Sequence, residues 1–150
     1  MKKIFVFLLL ILSYSSIFAQ TADITNGGKI TILDVKGVIP PSNFTRLGEN
    51  MKLVAFDILI DNTNGSNEIY FTWGGIEVRD SQGFSYTGSA HHFNLTNPSL
   101  PAGIRVEKGH VIRGWFTFAI HQDSPLNGLR IRINSTFHGV QSDWIRIIIE

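Results

Sequence analysis

The sequence predicts an all-β sandwich built from many short strands. Several runs alternate apolar with polar residues, and clusters of Gly, Asn, Pro and Asp separate them, which is the pattern of a sandwich or barrel. No segment after the N-terminal apolar run has a helical repeat long enough to predict a helix. The chain has 150 residues, a length that fits one domain.

The N-terminus has the layout of a secretory signal peptide. Lys2 and Lys3 form a positive start, residues 4–12 are all apolar, and residues 13–19 are mostly small or weakly polar. The apolar run is too short for a membrane-spanning helix, which needs about 20 residues, although a retained anchor is the alternative. We therefore expect cleavage after Ala19, a flexible leader over 20–28 and a folded domain over 29–150, with no membrane span in the mature form.

Composition narrows the functional classes. The chain has no cysteine, which excludes disulfides, thiolate metal sites and a lipid-bearing N-terminal Cys. We therefore expect a soluble exported protein, secreted or periplasmic, and not a lipoprotein. The net charge of the whole chain is +1. Removal of the signal peptide would take away Lys2 and Lys3 and leave 11 basic and 12 acidic residues. Such a near-neutral protein has no general attraction to nucleic acid or to anionic membranes.

The first half of the domain predicts three strands and a hairpin. Residues 29–38 form the first strand, ended by prolines, and residues 52–62 form the second. In the second, Val54, Phe56, Ile58 and Ile60 face the core, while the alternate set, Ala55, Asp57, Leu59 and Asp61, faces mostly outward. A turn follows at Asn64-Gly65, because both residues tolerate positive φ. Residues 68–79 form the third strand, with a β-bulge at Gly74-Gly75, then a turn at 80–83 and a returning strand from Phe84.

The second half predicts a long connection and three further strands. Residues 90–102 form the connection, with a short strand at most. Residues 105–120 are strongly β, with Ile112, Phe116, Phe118 and Ile120 on one face. Two later strands centre on Ile131 and Ile147. The total of about seven to nine strands matches an immunoglobulin-like sandwich.

One predicted surface is a candidate for binding. On the late strands, alternation along each strand places six side chains on the side away from the core. They are Arg113, Trp115, Arg130, Arg132, Trp144 and Arg146. Arg and Trp are enriched in binding hot spots, so a ligand or partner is expected here. The alternative is that arginine stems only cover exposed indole rings.

Catalytic and metal sites are not favoured. Residues 83–88 nearly match the G-x-S-x-G motif around Ser85, but no helix follows to complete a nucleophile elbow. The five histidines, His91, His92, His110, His121 and His138, are not spaced as a zinc site. The acidic and amide residues around Asp57, Asp61 and Asn62 lack calcium-loop spacing and suit turn chemistry instead. We expect no enzyme activity, no metal and no cofactor.

The middle of the chain resembles a family of bacterial secreted domains. The segments that carry the resemblance are 52–62, 76–80, 83–86, 100–103, 108–109 and 114–118. They are similar to the strands and turns of a telokin-like domain of unknown function, related to the mycobacterial immunoprotective extracellular antigen. The resemblance covers about residues 29–149 and implies an immunoglobulin-like sandwich, export or surface attachment, and no established chemistry. Many relatives are lipoproteins, whereas this chain has no cysteine to carry the lipid.

The sequence therefore favours an exported, non-enzymatic interaction or binding module. Its partner would be a protein or a glycan and not nucleic acid. The alternative is an extracellular or periplasmic structural or accessory protein that binds no small molecule, and a metal-binding protein or enzyme is the least favoured class.

Overall fold

The computed structural model describes residues 19–40, 42, 47–87, 96 and 98–149. These residues form eleven β-strands and two short 3-10 turns, at Trp73–Gly75 and Thr136–His138. The strands are β1 (Gln20–Asp23), β2 (Lys29–Val38), β3 (Met51–Asp61), β4 (Ile69–Thr72), β5 (Ile76–Arg79), β6 (Ser85–Thr87), β7 (Gly103–Val106), β8 (Val111–His121), β9 (Arg130–Ser135), β10 (Val140–Gln141) and β11 (Ile145–Arg146). The all-β fold class is confirmed, with more strands than the predicted seven to nine.

The first sheet is antiparallel and has the strand order β1-β2-β3-β8. Strand β2 has the predicted bounds, and β3 pairs along its whole length with β8. The predicted core face of β3 is fully buried, because alternate residues of a strand point to one side. Its members, Val54, Phe56, Ile58 and Ile60, are each at most 1% exposed.

The second sheet has the order β10-β9-β5-β6, and β11 also pairs with β9. A separate two-stranded ladder joins β4 and β7. One hydrophobic core draws residues from all of these sheets, as expected of a sandwich. At its centre the rings of Phe56 and Phe116 stack with centroids 5.4 Å apart, and Phe118 meets both rings edge-on.

The segment predicted as one bulged strand divides between two sheets. Strand β4 pairs with β7, whereas β5 pairs with β9 and β6. The change of side at Gly74-Gly75 is a 3-10 turn and not a β-bulge. A Cβ on Gly75 would lie 2.8 Å from Cβ of Ser135, so the absence of a side chain allows the turn to pack against the end of β9.

The predicted leader also differs from the structure. Residues Gln20–Asp23 form β1, an edge strand paired with β2. The next residue, Ile24, is only 3% exposed and belongs to the core. Its backbone N–H donates to Gly28, and Asn26 and Gly27 take positive φ to close the turn into β2. Pairing and the burial of one isoleucine order a segment whose composition is typical of a flexible leader.

Two further expectations need correction. The predicted strand at 105–120 is two strands, β7 and β8, separated by a turn with Gly109 at φ 84°. The outward set on β3 is not wholly outward, because Ala55 and Asp57 are at most 2% exposed.

The predicted signal peptide, apart from Ala19, lies outside the described residues, as does most of the predicted connection at 90–102. Within the described ranges no helix has the length and apolar character needed to cross a membrane.

Candidate binding face

The structure divides the six predicted site residues between two sheets. Strands β9 and β11 are antiparallel neighbours, so Arg130, Arg132, Trp144 and Arg146 share the outer face of the second sheet. Arg113 and Trp115 lie on β8 in the first sheet and do not join them. Four of the six predicted residues therefore share one face, while Arg113 and Trp115 lie apart, because parity along a strand does not say which sheet the strand enters.

Three arginines occupy directly paired positions on three adjacent strands. Arg79 on β5 pairs with Arg130 on β9, and Arg130 pairs with Arg146 on β11. Paired Cα atoms in antiparallel sheets lie about 4.5–5.5 Å apart, so the three side chains start in a row across the strands. We use the name arginine face for Arg79, Arg130, Arg132 and Arg146 together with Trp144.

Sequence reasoning missed Arg79. Its outward direction was visible, because it follows the buried Val78. Its neighbours were not, because β5 and β9 are separated by about fifty residues and nothing in their sequences shows that they pair.

Trp144 holds two of these arginines in place. The guanidinium carbons of Arg79 and Arg132 lie over its ring, 4.7 Å and 4.5 Å from the centroid. Such contacts each contribute about 0.5–1 kcal/mol at exposed sites. The indole therefore works mainly as a support for these two guanidinium groups.

A glutamate neutralises one arginine of the face. The Nε of Arg132 donates to Oε2 of Glu77 over 2.6 Å, and the Asn134 amide donates to Oε1 over 2.9 Å. Partial burial raises the pKa of Glu77, but these hydrogen bonds outweigh it, so the pKa lies below its ordinary value. The carboxylate is thus charged at neutral pH and already occupied.

The other arginines of the face keep donors available. Arg79 uses its Nε to donate to the Ser85 hydroxyl over 3.0 Å. Arg130 and Arg146 are exposed and have no hydrogen bond or ion pair within the described part of the chain. Four of the seven arginines in the sequence lie on this one face, whereas the described lysines lie elsewhere, on β2, β3 and the turn before β8. The four arginines of the face and Glu77 together carry a net charge of +3.

The two site residues on β8 have local partners instead. Arg113 donates from Nη2 to Oδ2 of Asp57 over 2.6 Å, and Asp57 is 2% exposed. That hydrogen bond and the charge of Asp57 raise the pKa of Arg113. Trp115 carries the ammonium group of Lys36 over its ring, 4.1 Å from the centroid. These contacts neutralise a buried carboxylate and cover an indole, which is a structural role.

The hydrolase-like motif falls on a hairpin. Ser85 begins β6, and its hydroxyl accepts the hydrogen bond from Arg79. Beside it, a pocket of about 310 Å³ includes Asp80, Tyr86, His121 and Ser124. The carboxylate of Asp80 accepts four hydrogen bonds from protein groups, so it holds the hairpin together.

The candidate metal ligands are dispersed over the part of the chain that the structure describes. There, no three His, Asp or Glu side chains converge. His110 follows a turn, His121 ends β8 and His138 ends a 3-10 turn, while His91 and His92 lie outside the described residues. In the predicted turn, Asp61 accepts from the backbone and hydroxyl of Thr63, and those hydrogen bonds lower its pKa.

Comparison with known proteins supports the fold alone. No family model and no curated protein sequence matches the chain. Among solved structures it is similar to the ycdA protein of Bacillus subtilis, described as a candidate lipoprotein, with a TM-score of 0.54 and 11% identity over 85% of this chain. The chain spans only 38% of that protein. It is also similar to the yjhA protein of Bacillus subtilis, with a TM-score of 0.46, 13% identity and coverage of 82% of this chain and 80% of that one.

Proposed function

We propose that this chain is an exported, non-enzymatic, immunoglobulin-like module that binds a ligand with several oxyanions through the arginine face. Export is supported by the charged, apolar and small-residue layout of residues 1–19. A soluble mature form is favoured because the chain has no cysteine to carry a lipid. The ycdA neighbour is described as a candidate lipoprotein, a class that is itself exported. The resemblance to telokin-like secreted domains is part of this proposal.

The row of Arg79, Arg130 and Arg146 is the observation that carries the binding proposal. Like charges directly opposite each other destabilise a sheet, and here two consecutive pairs are both Arg–Arg. Within the described residues none of the three arginines forms an ion pair with a carboxylate. A bound anion would remove this repulsion, so the arrangement is more favourable with a ligand than without one.

The residue type indicates the ligand chemistry. A guanidinium offers a planar fork of donors that matches a carboxylate, sulfate or phosphate, whereas a lysine offers a point charge. Arginine also remains protonated at any physiological pH. A surface with arginine only therefore suits holding oxyanions and not transferring protons.

Isothermal titration calorimetry with oligogalacturonate, which has one carboxylate on each sugar ring, tests the proposal. The variant Arg130→Gln/Arg146→Gln removes two exposed charges with no partner in the described chain. We expect it to bind at least about tenfold more weakly, which is about 1.4 kcal/mol.

The matched control is Arg105→Gln/Lys108→Gln, which makes the same change in net charge away from the face, on β7 and in the turn after it. It should bind nearly as wild type does. An equal loss of affinity in both variants would mean that bulk charge alone drives binding. Absence of wild-type binding both to oligogalacturonate and to a hyaluronan oligosaccharide, which carries its carboxylates on alternate rings, would end the proposal.

A further inference from the structure

A polar cleft adjoins the arginine face. Its volume is about 420 Å³. Arg132 belongs to both surfaces, and the cleft residue Asp143 directly precedes Trp144. Its lining includes Asp23, Thr25, Arg132, Gln141, Ser142 and Asp143.

The residues that follow the edge strand β1 close this cleft against the end of β10. The backbone N–H of Thr25 donates to the carbonyl of Gln141 over 2.7 Å, and the Thr25 hydroxyl exchanges hydrogen bonds with the same backbone. Ile24 bridges to Ser142. The Ser142 hydroxyl accepts from Ile133 and donates to the carbonyl of Asp143. The hydroxyl groups of Thr25 and Ser142 are therefore already hydrogen-bonded to the backbone that forms the cleft.

Two carboxylates remain available to a ligand. Asp23 and Asp143 are exposed at the cleft, and their side chains have no hydrogen bond or ion pair with any group that the structure describes. An ionised carboxylate only accepts hydrogen bonds. The cleft therefore favours a ligand part that donates O–H or N–H and repels one that carries a negative charge.

The two surfaces together select a ligand in which charged groups and uncharged hydrogen-bond donors alternate. The arginine face requires oxyanions, while the cleft beside it requires uncharged donors within the same molecule. Nucleic acid places a phosphate on every nucleotide, so some phosphates would lie against Asp23 and Asp143. A peptide of consecutive Asp or Glu residues supplies carboxylates and backbone N–H donors, but every residue is charged, so some of its carboxylates would also lie against Asp23 and Asp143. A polysaccharide in which acidic and neutral sugar rings follow one another supplies both.

We propose that the ligand is an acidic polysaccharide with alternating charged and uncharged sugars. The acid groups bind to Arg79, Arg130 and Arg146, and the hydroxyl groups of a neutral ring donate to Asp23 and Asp143. Arg132 lies between the two parts, with its Nε held by Glu77 and its plane on Trp144. This inference rests on the proposed function of the arginine face.

Calorimetry with two saccharides of equal carboxylate number tests the inference. Hyaluronan oligosaccharides alternate an acidic with a neutral ring, whereas oligogalacturonate is acidic on every ring. Wild type should bind the hyaluronan oligosaccharide at least about tenfold more tightly, because specificity includes the repulsion built against the wrong ligand.

The variant Asp23→Asn/Asp143→Asn should change the two affinities in opposite directions. It replaces each carboxylate by a neutral amide, which keeps one weaker acceptor and turns the other oxygen into a donor group. Hyaluronan should therefore bind about tenfold more weakly, while loss of repulsion should strengthen oligogalacturonate binding about threefold. The control Glu107→Gln/Asp123→Asn makes the same change in net charge at exposed positions outside the cleft. It should change both affinities slightly and in the same direction.

The outcomes separate this inference from the proposal beneath it. If wild type binds both saccharides equally, or if the cleft variant strengthens both, the cleft selects nothing and the inference is overturned while the arginine face stands. If wild type binds neither saccharide, both proposals are overturned. Opposite changes in the cleft variant support the inference.

Discussion

Asp80 ties the β5–β6 hairpin to the turn after β8. Its Oδ1 accepts from the backbone N–H groups of Gln82 and Phe84 over 3.0 Å and 2.9 Å, and its Oδ2 accepts from the hydroxyls of Tyr86 and Ser124 over 3.0 Å and 2.8 Å. Asp80 and Ser124 are each 3% exposed. Replacing Asp80 with alanine would leave four donors without their acceptor.

The expected cost follows from these four hydrogen bonds. At about 1 kcal/mol net for each bond, Asp80→Ala should lower the free energy of unfolding by about 4 kcal/mol. Asp80→Asn keeps an acceptor for the two backbone donors and should cost about 2 kcal/mol. In urea unfolding followed by circular dichroism, the alanine variant should shift the midpoint by about 2–3 M.

The control is Asp123→Ala, since the Asp123 side chain is 76% exposed. It should change the free energy of unfolding by at most about 0.5 kcal/mol. Equal unfolding midpoints for Asp80→Ala and Asp123→Ala would refute the reasoning, because the hydrogen bonds would then contribute nothing beyond an exposed carboxylate.

The same carboxylate predicts a pH dependence. Burial raises the pKa of Asp80, but the hydrogen bonds from Ser124, Phe84, Tyr86 and Gln82 outweigh it and hold the pKa below the ordinary 3.8. A lowered pKa in the folded state gives stability that is fully present above the unfolded value and is lost as the pH falls through the folded value. The stability difference between wild type and Asp80→Asn should be constant near neutral pH and narrow below pH 3.8.

Three other predictions follow from packing and from the N-terminus. Phe116→Ala should cost about 3–5 kcal/mol in urea unfolding, because it empties the centre of the core; a cost under about 1 kcal/mol would contradict its placement. Gly65→Ala should cost more than about 2 kcal/mol, since its Cβ would lie 1.7 Å from Oδ1 of the buried Asn62. Gly37→Ala should be nearly neutral, because nothing lies within 4 Å of the added Cβ. A cost equal to that of Gly65→Ala would contradict the close approach of Gly65 to Asn62. Mass spectrometry of the exported protein should find cleavage after Ala19, and an intact N-terminus would contradict it.

The alternation of apolar residues predicted the strands and their core faces well. In β9 one buried face sets the period of two, so it is visible in the sequence alone. In β2 a register shift between Ile32 and Asp34 breaks that period, and in the middle of β3 both faces are buried. The residues at the centre of the core, Phe56, Phe116 and Phe118, were all assigned correctly.

Features that depend on distant partners could not be predicted in the same way. Gln20–Asp23 forms a strand because β2 lies beside it, and the Gly74-Gly75 turn exists because β4 and β5 enter different sheets. The Asn64-Gly65 turn was predicted for a wrong reason. Neither residue has positive φ, and Gly65 instead makes room for the Asn62 side chain.

The candidate site likewise combines features that the sequence shows with features that depend on distant partners. Parity placed Arg130, Arg132, Trp144 and Arg146 correctly on the outer face, and β9 and β11 pair although β10 lies between them in the chain. The row of three arginines depends on the pairing of β5 with β9, which joins residues far apart in the chain. The cleft depends on β1, in the segment predicted to be a leader.

The most direct test of the central claim is NMR of the arginine Nε–Hε groups during titration with hyaluronan oligosaccharides. Substitution of single arginines by lysine assigns each signal. We expect shifts for Arg79, Arg130, Arg132 and Arg146, and none of comparable size for Arg105 and Arg113, which lie on β7 and β8. Shifts as large at Arg105 and Arg113 as on the arginine face, or no shifts at all, would contradict it.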